Sequence, residues 1–336
     1  MQTPYCLRVL LAIPIVWSCP GKTQPSQAGK SSTEVVASDS PTGDRGEHSK
    51  EILGPGLGEF VHIPGGEFTM GRNNGEQAGE RPEHLVEVSS FYVGRTPVTN
   101  GQFVRFLNEA GIKPKEYLSP QVPWVISGMT LTDDKWVCEQ GAEAHAACGE
   151  SWILAQRYCE WLSKKSGRKC RLPTEAEWEY VCRGKEGRKF PWGNKYDDLN
   201  RKIWGWRSWA KSKNKVPVGG FPKGATPEGV FDLIGYMDEM CSDWYDPDYY
   251  AKSPRKNPKG PSEPKPFKNA KVTRGGLERP YIGGPGIIRF FRDSAFTGIL
   301  PTHYLPRAWS RGKAAPPEEP RFVYGRLGVR VVVEVK

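Results

Sequence analysis

The chain has 336 residues, enough for one large domain or two small ones. Its 38 Gly and 30 Pro make about a fifth of the sequence, against a usual ~12%. Both residues destabilise helix interiors, which excludes a coiled coil or a plain helix bundle and predicts many turns. The net charge of +10 is concentrated in two segments. Residues 201–215 carry six bases and no acid, and residues 252–271 carry seven bases and one acid. Read plainly, these are two solvated loops. Read functionally, they suit an anionic surface such as lipid head groups or an envelope polymer. Trp204, Trp206 and Trp209 interleave with the first run, but no nucleic-acid-binding motif accompanies them, and no nucleic-acid partner is expected.

In chain order, the N-terminus reads as an export signal over residues 1–18. Val9 to Trp17 is apolar and too short to span a bilayer. It ends at Val16-Trp17-Ser18-Cys19, which resembles a bacterial lipobox whose Cys receives a diacylglyceryl group. Residues 19–55 then have almost no large apolar side chain, as expected of a lipidated cysteine followed by a disordered tether. The expected localisation is the bacterial cell envelope, with a lipid anchor in the membrane.

A folded domain is expected over residues 56–336. Thr99 caps a helix whose apolar stripe is Phe103, Phe106, Leu107 and Ala110, stopped by Gly111. A second helix starts at Ser151, carries Trp152, Ala155, Cys159 and Leu162 on one face, and ends before Gly167. A third starts at Thr174, with Glu177 completing a capping box. The best strand is the last, where Val329, Val331, Val333 and Val335 alternate with Arg330, Val332 and Glu334. Six cysteines fall in this domain, none in a CxxC pair and none in zinc spacing. An exported domain can form disulfides; Cys138 and Cys148 are the nearest pair, and the sequence leaves connectivity open.

Several further blocks in this domain stand in a fixed order. They are Ile63 to Gly71, Val98-Thr99-Asn100 with Phe103, Arg171 to Tyr180, and Pro191 to Asn194. Pro217 to Gly219, Gly229 to Leu233, Ser242 to Tyr245, Arg274-Gly275-Gly276 and Gly328 to Arg330 continue in order. Together these blocks resemble the formylglycine-generating enzyme (sulfatase-modifying factor) family, and the resemblance implies an α+β fold of the formylglycine-generating-enzyme, C-type-lectin-like kind, with little regular secondary structure, in a single domain. Arg171, Thr174, Glu177, Trp178, Arg274, Gly275 and Gly276 are then expected to serve the fold.

The resemblance also implies chemistry that these residues do not supply. Active members oxidise a client cysteine with O₂ and Cu(I) held by two thiolates, which are suitably soft ligands. Counting without gaps from Arg274 puts Pro280 and Pro285 in those two slots, and Leu277 in the family's Ser slot. No catalytic residue is therefore assigned and no copper is expected. A calcium site of active members is altered as well. Tyr236 replaces its Asn, and Tyr is a poor Ca²⁺ ligand. Asp232, Asp238, Glu239 and Asn200 leave a rebuilt oxygen site open. Iron-using relatives carry a separate His-rich domain, whereas the five His here are scattered. His303 could act as a lone acid/base, against the simpler reading of a surface loop His.

Two functions stand. One is a non-catalytic, anchored envelope protein that binds an envelope protein or anionic polymer. The other is an enzyme, either modifying protein cysteines or using the same cleft for other chemistry. The missing cysteine pair favours the first.

Overall fold

The computed structural model describes residues 50–73, 80–113, 128–148, 151–195, 216–234, 237–264, 271–275, 312–314 and 327–336. They belong to a unit spanning Asp44–Lys336. Among the described residues no helix is long and apolar enough to cross a membrane.

Among the described residues, three α-helices form where local signals place them. In α1, Asn100–Glu109, the Thr99 hydroxyl accepts the Gln102 N–H and the Gln102 side chain answers to Thr99 N–H. Helix α2, Trp152–Ser166, is capped by Ser151 and ends at Gly167 with φ 67°, a backbone conformation that suits glycine. Helix α3, Glu175–Arg183, has the expected box between Thr174 and Glu177.

The main sheet has five strands in the order β1-β2-β5-β13-β8. These are β1 Lys50–Ile52, β2 Glu59–Ile63, β5 Phe91–Gly94, β13 Val332–Glu334 and β8 Cys170–Arg171. A second sheet has the order β11-β10-β9-β12, formed by Gly312–Ala314, Lys271–Arg274, Asp238–Trp244 and Leu327–Gly328. Two hairpins complete the set: β3 Gly66–Met70 with β4 His84–Val88, and β6 Met129–Thr132 with β7 Lys135–Cys138. The second hairpin turns on Asp133 and Asp134, both at positive φ, the geometry that matches strand twist in a two-residue loop.

Two expectations need correction. Lys50–Ile52 pairs with β2, so the sheet begins six residues before the boundary placed at 56 from composition. A short edge strand can be held by backbone bonds alone, which composition does not report. The last strand is also not one strand. Leu327–Gly328 pairs parallel with β9, and Val332–Glu334 then inserts between β5 and β8. The C-terminus thus stitches the two sheets together. The alternation persists but serves two cores: Val329, Val331 and Val333 pack with the α1–α2 cluster, and Val332 packs with the α3 cluster. Val335 is exposed.

The main sheet separates these clusters. On one side Phe103, Phe106, Tyr158 and Leu162 pack together, with the Phe103 and Tyr158 rings stacked 5.6 Å apart. On the other, Trp178 and Val181 of α3 pack with Phe68, Val86, Cys241 and Val272. Each fully buried large side chain contributes about 1.5–3 kcal/mol. The six described cysteines of the domain are all free thiols, and all but Cys138 are buried.

Candidate functional site

The site is built around Arg274, the last residue of β10. Helix α3 presents Glu175, Glu179 and Arg183 four residues apart on one face, all buried. Arg274 Nη2 donates to Glu175 Oε1 at 2.8 Å, Glu179 Oε2 at 2.7 Å and the Tyr250 hydroxyl at 2.7 Å. The other Glu179 oxygen accepts from Gly71 N–H and from Arg183, at 2.8 and 2.9 Å. Burial alone would lower the Arg274 pKa, but Tyr250, Glu175 and Glu179 raise it well above the ordinary guanidinium value. The guanidinium is therefore a fixed positive centre with its charge matched twice.

Gly275 follows at φ 86°. A Cβ there would lie 2.2 Å from the Leu233 carbonyl oxygen and 3.0 Å from the Trp178 ring. Only glycine fits, and this explains the first Gly of the Arg-Gly-Gly block.

A second ion pair lies beside the first. Arg330, fully buried, donates Nε to Glu239 Oε2 at 2.8 Å and Nη2 to Glu239 Oε1 at 2.6 Å. It also donates to the Gly94 and Phe231 carbonyls, and Trp178 Nε1 donates to Glu239 Oε2 at 2.7 Å. Both oxygens of Glu239 thus serve Arg330. Asp232 sits at φ 59° and accepts from Gly219 N–H at 2.6 Å. Burial raises its pKa to about 6, against the Gly219 bond and Arg330, which lower it. Asp238 begins β9. Glu239 lies near enough to Asp232 to raise its pKa but is committed to Arg330, and among the described residues no group of three or more His, Cys, Asp or Glu side chains that could hold a metal is formed. Asn200 lies outside the described residues, as do Gly276, Leu277, Pro280, Pro285, Tyr236, His303, Cys19 and the basic run 201–215.

Arg171 joins two carboxylates from different elements. Its Nη1 and Nη2 donate to the two Glu177 oxygens at 2.7 Å each, and Nε donates to Glu334 at 3.0 Å. The capping box is thereby tied to β13. Cys241, the cysteine nearest the Arg274 block in sequence, lies on β9 with no exposure. Burial, then Asp243 and Glu175, push its thiol well above the ordinary range. Cys182 and Cys159 are likewise pushed up, chiefly by burial. A buried protonated thiol is neither a ready nucleophile nor a ready metal ligand.

Among the described residues of the second basic run, three bases pair with acids of the same chain. Lys252 pairs with Asp246 at 3.0 Å, Lys256 with Glu87 at 3.0 Å, and Arg255 with Glu67. Lys271 is buried between two indoles, its Nζ 4.1 Å from the Trp152 ring centre and 3.7 Å from that of Trp244. The roles of Glu175, Glu179, Tyr250 and Lys271 are missed by the sequence reading. The acid–acid–base spacing at 175, 179 and 183 was the legible signal for the first two.

Residues 51–334 match the model of the sulfatase-modifying factor enzyme 1-like domain. The chain is 34% identical over 222 residues to a serine/threonine-protein kinase pkn1 of Chlamydia caviae, covering 65% of this chain and 33% of that protein. The chain thus spans about a third of the length of the chlamydial kinases it matches. It is 32% identical over 263 residues to the formylglycine-generating enzyme of Streptomyces coelicolor, covering 64% of this chain and 77% of that one. Among solved structures, PvdO from Pseudomonas aeruginosa superposes with a TM-score of 0.58 at 21% identity, over 86% of this chain and 98% of PvdO, a likeness of fold.

Proposed function

We propose a function from one premise: the chain belongs to the sulfatase-modifying factor enzyme 1-like domain family, whose model spans residues 51–334. Relatives in this family bear names as different as kinase and formylglycine-generating enzyme, so the role must be argued from the site. The proposed role is that of a non-catalytic binding module on the cell envelope, tethered through a lipidated Cys19.

The observation that carries this reading is the donor set. The two thiolate slots after Arg274 hold Pro280 and Pro285, which have no metal-ligating or redox-active group. Cys241 offers no substitute, being buried and held protonated beside Asp243 and Glu175. These residues do not fit thiolate-bound copper. What the site retains is its frame: a doubly neutralised Arg274 and a glycine turn at Gly275. A frame without a reactive group supports binding at the old cleft in place of oxidation.

The test uses purified full-length protein with Cu(I), O₂ and a Cys-containing sulfatase peptide, read by mass spectrometry. No aldehyde product is expected. Copper-dependent turnover abolished by Cys241→Ser would overturn the reading and install Cys241 as a ligand.

A further inference from the structure

Among the described elements, β12 and β13 are the last to be synthesised, and they lie inside the domain. Leu327, Val329, Arg330, Val331, Val332 and Val333 are all buried. Val329, Val331 and Val333 fill the α1–α2 core, and Val332 fills the α3 core. One short segment therefore completes both cores.

The same segment closes the backbone. Val98 N–H donates to the Val329 carbonyl and Gly94 N–H to the Val331 carbonyl, each at 2.8 Å. Strand β8, which links α2 to α3, has no strand partner but β13 among the described residues. Without β13 it loses its place in the main sheet. Arg330 supplies the counter-ion of Glu239. Without it, a carboxylate would be left buried and uncompensated against Trp178 of the α3 core. These contacts reach far back along the chain: Arg330 and the Gly94 carbonyl it bonds are 236 residues apart. The elements that precede them are weak alone. Helices α1, α2 and α3 have 10, 15 and 9 residues, at or below the ~12–15 at which an isolated helix is marginal in water. Isolated two-stranded hairpins are marginal as well.

We propose that residues 327–334 are a late-acting clamp: both cores stay open while the chain is being made, and they close together when this segment leaves the ribosome. Two cores that share one closing segment cannot consolidate one after the other, because each lacks side chains and backbone partners until that segment arrives. The clamp itself is independent of where the protein resides. Its use rests on the export reading, since a chain that crosses a membrane through a narrow channel has to arrive open.

The buried free thiols report the two cores separately: Cys159 the α1–α2 core, Cys182 and Cys241 the α3 core. The full chain is made with an unstructured C-terminal linker, stalled on the ribosome and treated with a maleimide, and the alkylated sites are located by mass spectrometry. With a linker short enough to hold residues 327–334 in the exit tunnel, all three thiols should react. With one long enough to free them, reaction at all three should fall at least about tenfold. A long-linker chain with residues 327–334 replaced by Gly and Ser should stay reactive. Protection of Cys159, or of Cys182 and Cys241, with the short linker would overturn the clamp. So would reactivity that persists with the long linker, or closure of the replaced chain. Equal solubility of wild type and Cys19→Ala on cell fractionation would remove the use and leave these outcomes unchanged.

Discussion

Glu239→Gln is the sharpest probe of what holds the two sheets together. Glu239 sits on β9 of the four-stranded sheet, and Arg330 sits in the crossover to β13 of the five-stranded one. Both side chains are fully buried, and the pair is bidentate at 2.8 and 2.6 Å. Gln keeps the shape but removes the charge, and its amide N–H groups face guanidinium N–H groups. A buried Arg left without its counter-ion costs about 3–5 kcal/mol, a large part of the ~5–15 kcal/mol that stabilises a typical domain. Weakening the Trp178 Nε1 bond to Glu239, 2.7 Å long, adds to that loss. With an m-value of about 3 kcal/mol per M, the urea midpoint should fall by about 1 M or more. Arg330→Met should destabilise comparably, and the double variant should cost less than the two singles together by at least about 1 kcal/mol. A single-variant loss under about 1 kcal/mol, with additive singles, would refute the argument. EDTA offers a second arm. If Glu239 is spent on Arg330, chelation leaves the midpoint in place. A calcium-dependent midpoint would mean that it binds a metal instead.

Other outcomes follow from the same geometry. Thr174→Ala removes one 3.2 Å cap bond while Arg171 still holds Glu177, so denaturant unfolding should register a loss of about 1 kcal/mol. Asp232 has its pKa raised to about 6, so its contribution to stability is fully present below about 4 and lost as pH rises through about 6. Asp232→Asn keeps an acceptor for Gly219 N–H and tolerates the positive φ. It should flatten the stability profile over that window and stabilise at pH 7 by on the order of 1–3 kcal/mol. Cys19→Ala should move the protein from the membrane to the soluble fraction on cell fractionation; equal solubility of wild type and variant would remove the lipid anchor.

The helices were legible in the sequence because their determinants are local. Thr99, Ser151 and Thr174 each cap a backbone N–H three residues on, and Gly167 ends α2, all within one turn of chain. The same locality underlies the proposal on the thiolate slots, since a gapless count from Arg274 to Pro280 and Pro285 needs no fold. Glu239 shows the limit. Its type and its neighbours Asp232 and Asp238 suit a calcium site, and only the arrival of Arg330, 91 residues later, turns it into half of an internal ion pair. The last strand shows it too. Its period of two was visible, but Val332, between the valines, faces a second core instead of solvent, because β13 inserts between β5 and β8. Burial on both faces and the partner of a buried charge are set by segments distant in sequence. Their energies exist only once the chain has closed on itself, so tertiary packing alone decides them.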